Sequence, residues 1–208
     1  MAGQEPAGPD GGSPDTGERF AVLGLGSILV GDDGAGLAAT AELVRRYELP
    51  ASVTIYDGGV LGLHLLGLLE GVEHLLVLDA VTAGRPPGDL VRLDGADVHA
   101  TFAAKFSVHE LGFAELLAAA AFRGRSPRHL VVWGVEPQDV SPGLGLSAPI
   151  GEAVGALADA AAGELRSWGL DVPPREHPGE ALPYPEEVLG LTAEPASMGS
   201  DSLRSPRA

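Results

Sequence analysis

Phe20-Ala-Val-Leu-Gly-Leu25 is an unbroken apolar run that stops at a glycine-rich stretch, the pattern of a strand buried on both faces. From Gly34 the period lengthens. Leu37, Ala38, Ala41 and Val44 recur at helical spacing, Glu42, Arg45 and Arg46 fall opposite, and Pro50 follows; this predicts an amphipathic helix. Ser52 to Tyr56 is β-branched and aromatic and predicts a second strand, broken by Asp57-Gly58-Gly59. Leu61 to Leu69 returns to helical spacing. His74 to Leu78 predicts a third strand, closed by Asp79. Pro86-Pro87-Gly88 makes a turn, and the alternation in Asp89 to Leu93 predicts an exposed edge strand. Phe113, Leu116, Leu117 and Ala120 mark a helix, and His129 to Trp133 a fifth strand. Ile150, Val154, Leu157, Ala161 and Leu165 mark a long last helix, with Ser147 as its N-cap and Pro149 in its first turn. Strands alternating with helices predict an α/β sandwich around a mostly parallel sheet.

Composition sets the limits of this unit. Residues 1–17 and 171–208 are rich in Pro and Gly, acidic, and without a sustained apolar face. Both read as disordered tails that bury too little to offset their ordering entropy, which leaves 18–170 as the folded unit. The 208-residue chain carries 29 acids against 13 Lys and Arg, a net charge of −16. A nucleic-acid binder needs a basic footprint, so that class is excluded. With no Cys, disulfide scaffolds, thiolate zinc sites and Cys nucleophiles are excluded too. No apolar run approaches the ~18 residues of a membrane span, and the first residues have neither a basic region nor an apolar core. The expectation is a cytoplasmic protein that binds no nucleic acid and does not insert into a membrane.

In an open α/β sheet, ligands bind beyond the carboxyl ends of the strands, where the strand order reverses. Three polar clusters fall at such ends: Gly24 to Gly36 with Asp32 and Asp33, Asp57-Gly58-Gly59, and Asp79. An Asp ahead of a helix is ordinarily an N-cap, which suits Asp32 or Asp33, and Asp57 equally suits a glycine turn. Asp79, beside a buried strand, needs a partner, a cation or water. His109 sits in Ser107-Val-His-Glu110, a capping box with Ser107 as N-cap and Glu110 at the third helical position. The helix dipole there favours a neutral imidazole, which is a competent metal ligand. The other histidines lack such a setting. Two carboxylates and one imidazole, Asp33, Asp79 and His109, suit a first-row divalent ion such as Ni²⁺, Zn²⁺ or Mn²⁺ and leave coordination positions open.

Competing motifs fit poorly. Gly24-x-Gly26 follows a strand, but Leu29 stands where a dinucleotide fingerprint needs Gly or Ala, and Asp57, the acid at the end of the second strand, lies 31 residues after Gly26 rather than about 20. Lys105 is the sole lysine and no P-loop exists. Neither a Gly-x-Ser-x-Gly elbow nor His-Glu-x-x-His occurs.

Five motifs in order resemble a known family. They are Gly24-x-Gly26-Ser27-x-Leu29-x-x-Asp32-Asp33-Gly34-x-Gly36, Asp57-Gly58-Gly59, Leu78-Asp79-Ala80, Ser107-x-His109-Glu110-x-Gly112 and Gly134-Val135-x-Pro137. Together they look like the [NiFe]-hydrogenase maturation endopeptidases, over roughly residues 20–168. The resemblance implies a three-layer α/β/α sandwich with five strands, the fourth antiparallel at an edge. It makes 18–170 a hydrogenase maturation protease domain and the chain a peptidase. Such an enzyme removes a short C-terminal peptide from the hydrogenase large-subunit precursor after nickel insertion. The family's metal-contacting positions match Asp33, Asp79 and His109, so nickel, delivered in the substrate, is the implied metal. Asp33, Asp57 and Asp79 are the catalytic candidates, Asp57 as loop-orienting group or base. The family often has Glu where Asp33 stands and Asn where Ser27 stands. A nickel-checking chaperone, a nucleotide-binding enzyme and a peptidase with another protein substrate are the alternatives.

Overall fold

The structure, a computed structural model, describes residues 18–59, 66–67, 70–103 and 108–179. Its strands are β1 (Phe20–Leu25), β2 (Val53–Gly59), β3 (His74–Ala80), β4 (Leu90–Asp94) and β5 (His129–Val135). Its helices are α1 (Ala35–Arg46), α2 (Ala96–Ala103), α3 (Val108–Phe122) and α4 (Ala148–Ser167), and a 3-10 turn, Gly31–Gly34, precedes α1. The sheet order is β2-β1-β3-β5-β4. β1 runs parallel to β2 and β3, β3 parallel to β5, and β4 antiparallel to β5 at the edge. The five-stranded, mostly parallel sheet with an antiparallel fourth strand is as expected.

Strand alternation sorts the core into two layers. Val22, Leu76 and Leu78 pack with Ala39 and Leu43 of α1 and with Leu157 and Ala161 of α4. Ala21, Leu23, Leu75 and Val77 pack on the other face with Phe102 of α2 and with Phe113 and Leu116 of α3. From β1 the chain goes to β2 on one side, then crosses to β3 on the other. The order therefore reverses between the carboxyl ends of β1 and β3, the place where this fold class holds ligands.

Several local expectations need correction. β2 is not broken at Asp57: it continues through Gly59, and the register slips between Gly24 and Leu25 so that Leu25 pairs with Gly59. The slip requires a bare backbone, because a Cβ on Gly58 would lie 2.6 Å from the Leu23 side chain. Helix α1 is buried along nearly its whole length. Its Leu37, Ala38 and Ala41 face Val154 of α4 rather than the sheet. Glu42, expected on the wet face, is buried because Arg45 folds over it with paired contacts of 2.7 and 2.8 Å. Helix α2 was not predicted; among its described side chains the buried ones are Val98 and Phe102, one turn apart.

The folded body also runs past residue 170, through Gly179. The backbone N–H of Arg175 donates to Arg46 and that of Gly179 to Arg45, both at 2.8 Å, and Val172 is buried. This segment borrows its hydrogen-bond partners from the end of α1, so it needs no apolar period of its own. Residues 1–17 and 180–208, and most of the apolar stretch Leu61 to Leu69, lie outside the described residues. No helix among the described residues is long and apolar enough to cross a membrane.

Candidate functional site

The loop after β1 builds one wall of the crevice at the reversal point. Gly26 has φ +112°, and a Cβ there would overlap the Asp33 carbonyl oxygen at 1.8 Å. Glycine thus lets the loop fold back on itself. The folded loop aims the Ser27 N–H at Asp33 Oδ2, 2.7 Å away. Gly36, in the first turn of α1, presses against the ends of β1 and β3: a Cβ would come within 2.2 Å of the Leu78 carbonyl and 2.5 Å of the Leu25 carbonyl. The 3-10 turn that carries Asp33 also contacts β3. Two glycines therefore bring the Asp33 loop down onto the strand that ends in Asp79.

Asp79 is completely buried. Its Oδ1 accepts the Ala80 N–H at 2.8 Å. Alternation along β3 sets it with Leu75 and Val77, on the α2/α3 side. Its neighbour in register on β5 is Gly134, where a Cβ would collide with Val81 at 2.4 Å. His109 is the second residue of α3, on the same side of the sheet. Its side chain, like Ser107 and the side chain of Glu110, lies outside the described residues. Among the described residues no three His, Asp or Glu side chains group closely enough to hold a metal ion.

Asp57 sits apart from this pair. It is level with Gly24 and with Leu78, one residue short of Asp79, and two strand spacings away, ~10 Å. Alternation places it with Val53 and Ile55, on the α1/α4 side. Partial burial pushes its carboxyl above the usual carboxylate range, opposed by a hydrogen bond from the Gly59 backbone.

Asp32 is not a helix cap. The N-cap of α1 is Gly34, and Asp32 is fully buried. Its carboxylate accepts the N–H groups of Gln138 (2.9 Å), Asp139 (2.8 Å) and Ser147 (2.6 Å) and the Ser147 hydroxyl (2.9 Å). Ser147 does occupy the N-cap of α4, but its hydroxyl makes no cap bond and serves Asp32 instead. Asp32 thus ties the loop after β1 to the loop after β5. Glu136, which the motif reading passed over, does the same for the loop after β3. It is buried, and its carboxylate accepts from Ala83 N–H at 2.6 Å and Gly84 N–H at 3.3 Å. The signal that could have found it is the one used for Asp79, an acid at the end of a buried strand.

The fold and site define a doubly wound α/β protein with buried carboxylates at the carboxyl end of its sheet, where the strand order reverses. The hydrogenase maturation protease family matches residues 38–164. A hydrogenase expression/formation protein, HupD, of Bradyrhizobium diazoefficiens is 41% identical over 162 residues, which is 77% of this chain and 84% of that protein. The hydrogenase 2 maturation protease of Escherichia coli is 36% identical over 76% of this chain and 97% of its own length. The solved structure of the E. coli hydrogenase maturating endopeptidase HybD superposes with a TM-score of 0.73 at 35% identity, covering 76% of this chain and 98% of that one. The chain belongs to the hydrogenase maturation protease family and is a peptidase.

Proposed function

We propose that this peptidase removes the C-terminal extension of a [NiFe]-hydrogenase large-subunit precursor after nickel insertion, with the cytoplasm as its compartment, and that it recognises the precursor through the nickel the precursor carries. The observation that carries this reading is the burial of Asp79 at the carboxyl end of β3, beside the Asp33 loop. A carboxyl group buried in such a place suits a cationic ligand. Family membership supports the substrate class.

In this reading nickel is part of the substrate. Asp33, Asp79 and His109 bind it from the enzyme side, and their oxygen and nitrogen donors suit a first-row divalent ion. Gripping an ion already fixed in the precursor sets the scissile bond at a defined place, which turns recognition into positioning. The ion supplies Lewis-acid polarisation. Asp33 is held in place by the Ser27 N–H. Asp57 acts from the other side of β1 by holding the end of β2 through the Gly59 backbone.

The test is mass spectrometry of precursor incubated with the protein, nickel-loaded and nickel-free in parallel. Loss of the C-terminal peptide from the loaded form alone is the expected outcome. Equal cleavage of both forms contradicts recognition through nickel, and an intact tail in both contradicts proteolysis.

A further inference from the structure

Four large apolar side chains stand well exposed among the described residues: Leu29 (63%), Val140 (53%), Leu144 (67%) and Phe122 (94%). The first three lie on the two loops that Asp32 joins. Those loops are bonded to each other along their length. Gly143 N–H donates to the Leu29 carbonyl at 2.9 Å, Gly31 N–H to the Gly143 carbonyl at 3.0 Å, and Asp32 N–H to the Asp139 carbonyl at 2.9 Å. Gly31, at φ +54°, allows this approach, since a Cβ there would sit 2.7 Å from the Asp139 carbonyl. The pairing is backbone to backbone, so it does not depend on burying the three side chains.

Apolar side chains held out on a fixed loop pair gain nothing for the fold, and Leu29 and Leu144 flank the Val30–Gly143 bridge that joins the two loops; exposed apolar groups gathered in this way mark contact surfaces. This one adjoins the loop that carries Asp33. We infer that Leu29, Val140 and Leu144 form a preformed docking rim for an apolar stretch of the large-subunit precursor next to the bond that is cut. The inference rests on the proposed function for the partner's identity. Two observations select this occupant. Leu29 lies on the same loop as Asp33, two residues from Ser27, whose N–H holds the Asp33 carboxylate, so a second copy seated on the rim would compete with the precursor for that loop. With a net charge of −16 on the chain, an acidic segment is repelled, while an apolar one is matched by Leu and Val. The ordering cost of the rim is met in advance by the Asp32 clamp, which favours tight binding from a small area.

The test compares the wild-type chain with the combined variant Leu29→Ser, Val140→Ser, Leu144→Ser, using nickel-loaded precursor. Binding is read by fluorescence anisotropy and cleavage by steady-state kinetics. The variant is expected to raise Kd and KM about 10-fold or more, with kcat within about twofold and an unchanged melting temperature. Phe122→Ser, which removes an equally exposed apolar side chain at the end of α3, is expected to leave Kd alone. Wild-type cleavage with an unchanged Kd in the triple variant overturns the rim and leaves the proposed function standing. An equal effect from Phe122→Ser also overturns it, as does a wild-type dimer in sedimentation that the triple variant abolishes without weakening precursor binding. Failure of the wild type to bind precursor at all overturns the rim and the proposed function together.

Discussion

The two ends of the sheet solve opposite problems with different chemistry. At the amino end, rings close the core. Phe20, His74 and His129 open β1, β3 and β5 in register. Their rings stack across the strands, 4.5 Å from Phe20 to His74 and 4.4 Å from His74 to His129, and Trp168 covers His74 at 5.1 Å. At the carboxyl end, Asp32, Asp33, Asp79 and Glu136 are buried, and each has a backbone N–H as a hydrogen-bond donor. The difference follows from strand direction. Four parallel strands deliver their following loops, and the starts of α1 and α4, to one end of the sheet. Free N–H groups and the positive ends of helix dipoles collect there, so carboxylates can be buried at that end. The opposite end receives helix C-termini such as that of α4 and is sealed by rings.

The largest expected contrast is between one substitution at each end. Asp79→Ala should lower cleavage of nickel-loaded precursor by about 10²-fold or more, while His74→Ala should cost stability and leave kcat close to wild type at temperatures where the variant is folded. Steady-state cleavage rates and melting curves on the two variants check this. Similar losses of kcat in both would erase the division between the ends.

The next effect concerns the Asp32 clamp. Asp32→Ala leaves three backbone donors and a hydroxyl without their acceptor and should cost roughly 3 kcal/mol, read from urea denaturation. Asp32→Asn keeps one acceptor oxygen and should cost less. A cost below that of an ordinary surface substitution would show that the loops are held by their backbone pairing alone.

The smallest effect is pH dependence at the ring-lined end. Burial, and then the charge of His129, hold His74 below its ordinary 6.5; the Glu18 carboxylate, 3.4 Å from Nε2, opposes them only in part. The unfolded chain therefore takes up a proton before the folded one as pH falls. Stability conferred by neutral His74 is present above about 6.5 and is lost as pH drops from there through the folded value. A fall in melting temperature over that window is the expected outcome, and His74→Phe should flatten it. An unchanged slope in that variant would remove His74 as its source.

Sequence pattern exposed what local rules decide. β1, β3 and β5 are buried on both faces, so their apolar runs were legible, as was the exposed edge β4. The continuation of β2 through Asp57-Gly58-Gly59 was not, because it depends on a register slip against β1. Helix α2 was missed because eight residues, barely two turns, carry little period. Asp32 illustrates the limit most sharply. Its local setting reads as a cap, yet its partners lie more than a hundred residues away, and only the folded loops bring them to it. Asp79 was legible as the end of a strand and Asp33 as part of the polar loop after the first. The packing of the Asp33 loop against β3 depends on Gly26 and Gly36, whose spacing appears in the sequence but whose close contacts do not.

The central claim is that side chains of this enzyme reach the nickel inside its substrate. Nickel X-ray absorption of loaded precursor, alone and frozen within the first turnover after mixing with the protein, tests it most directly. The account predicts added oxygen and nitrogen ligands on mixing, and a smaller gain with the Asp79→Ala variant. An identical nickel spectrum before and after mixing would contradict it.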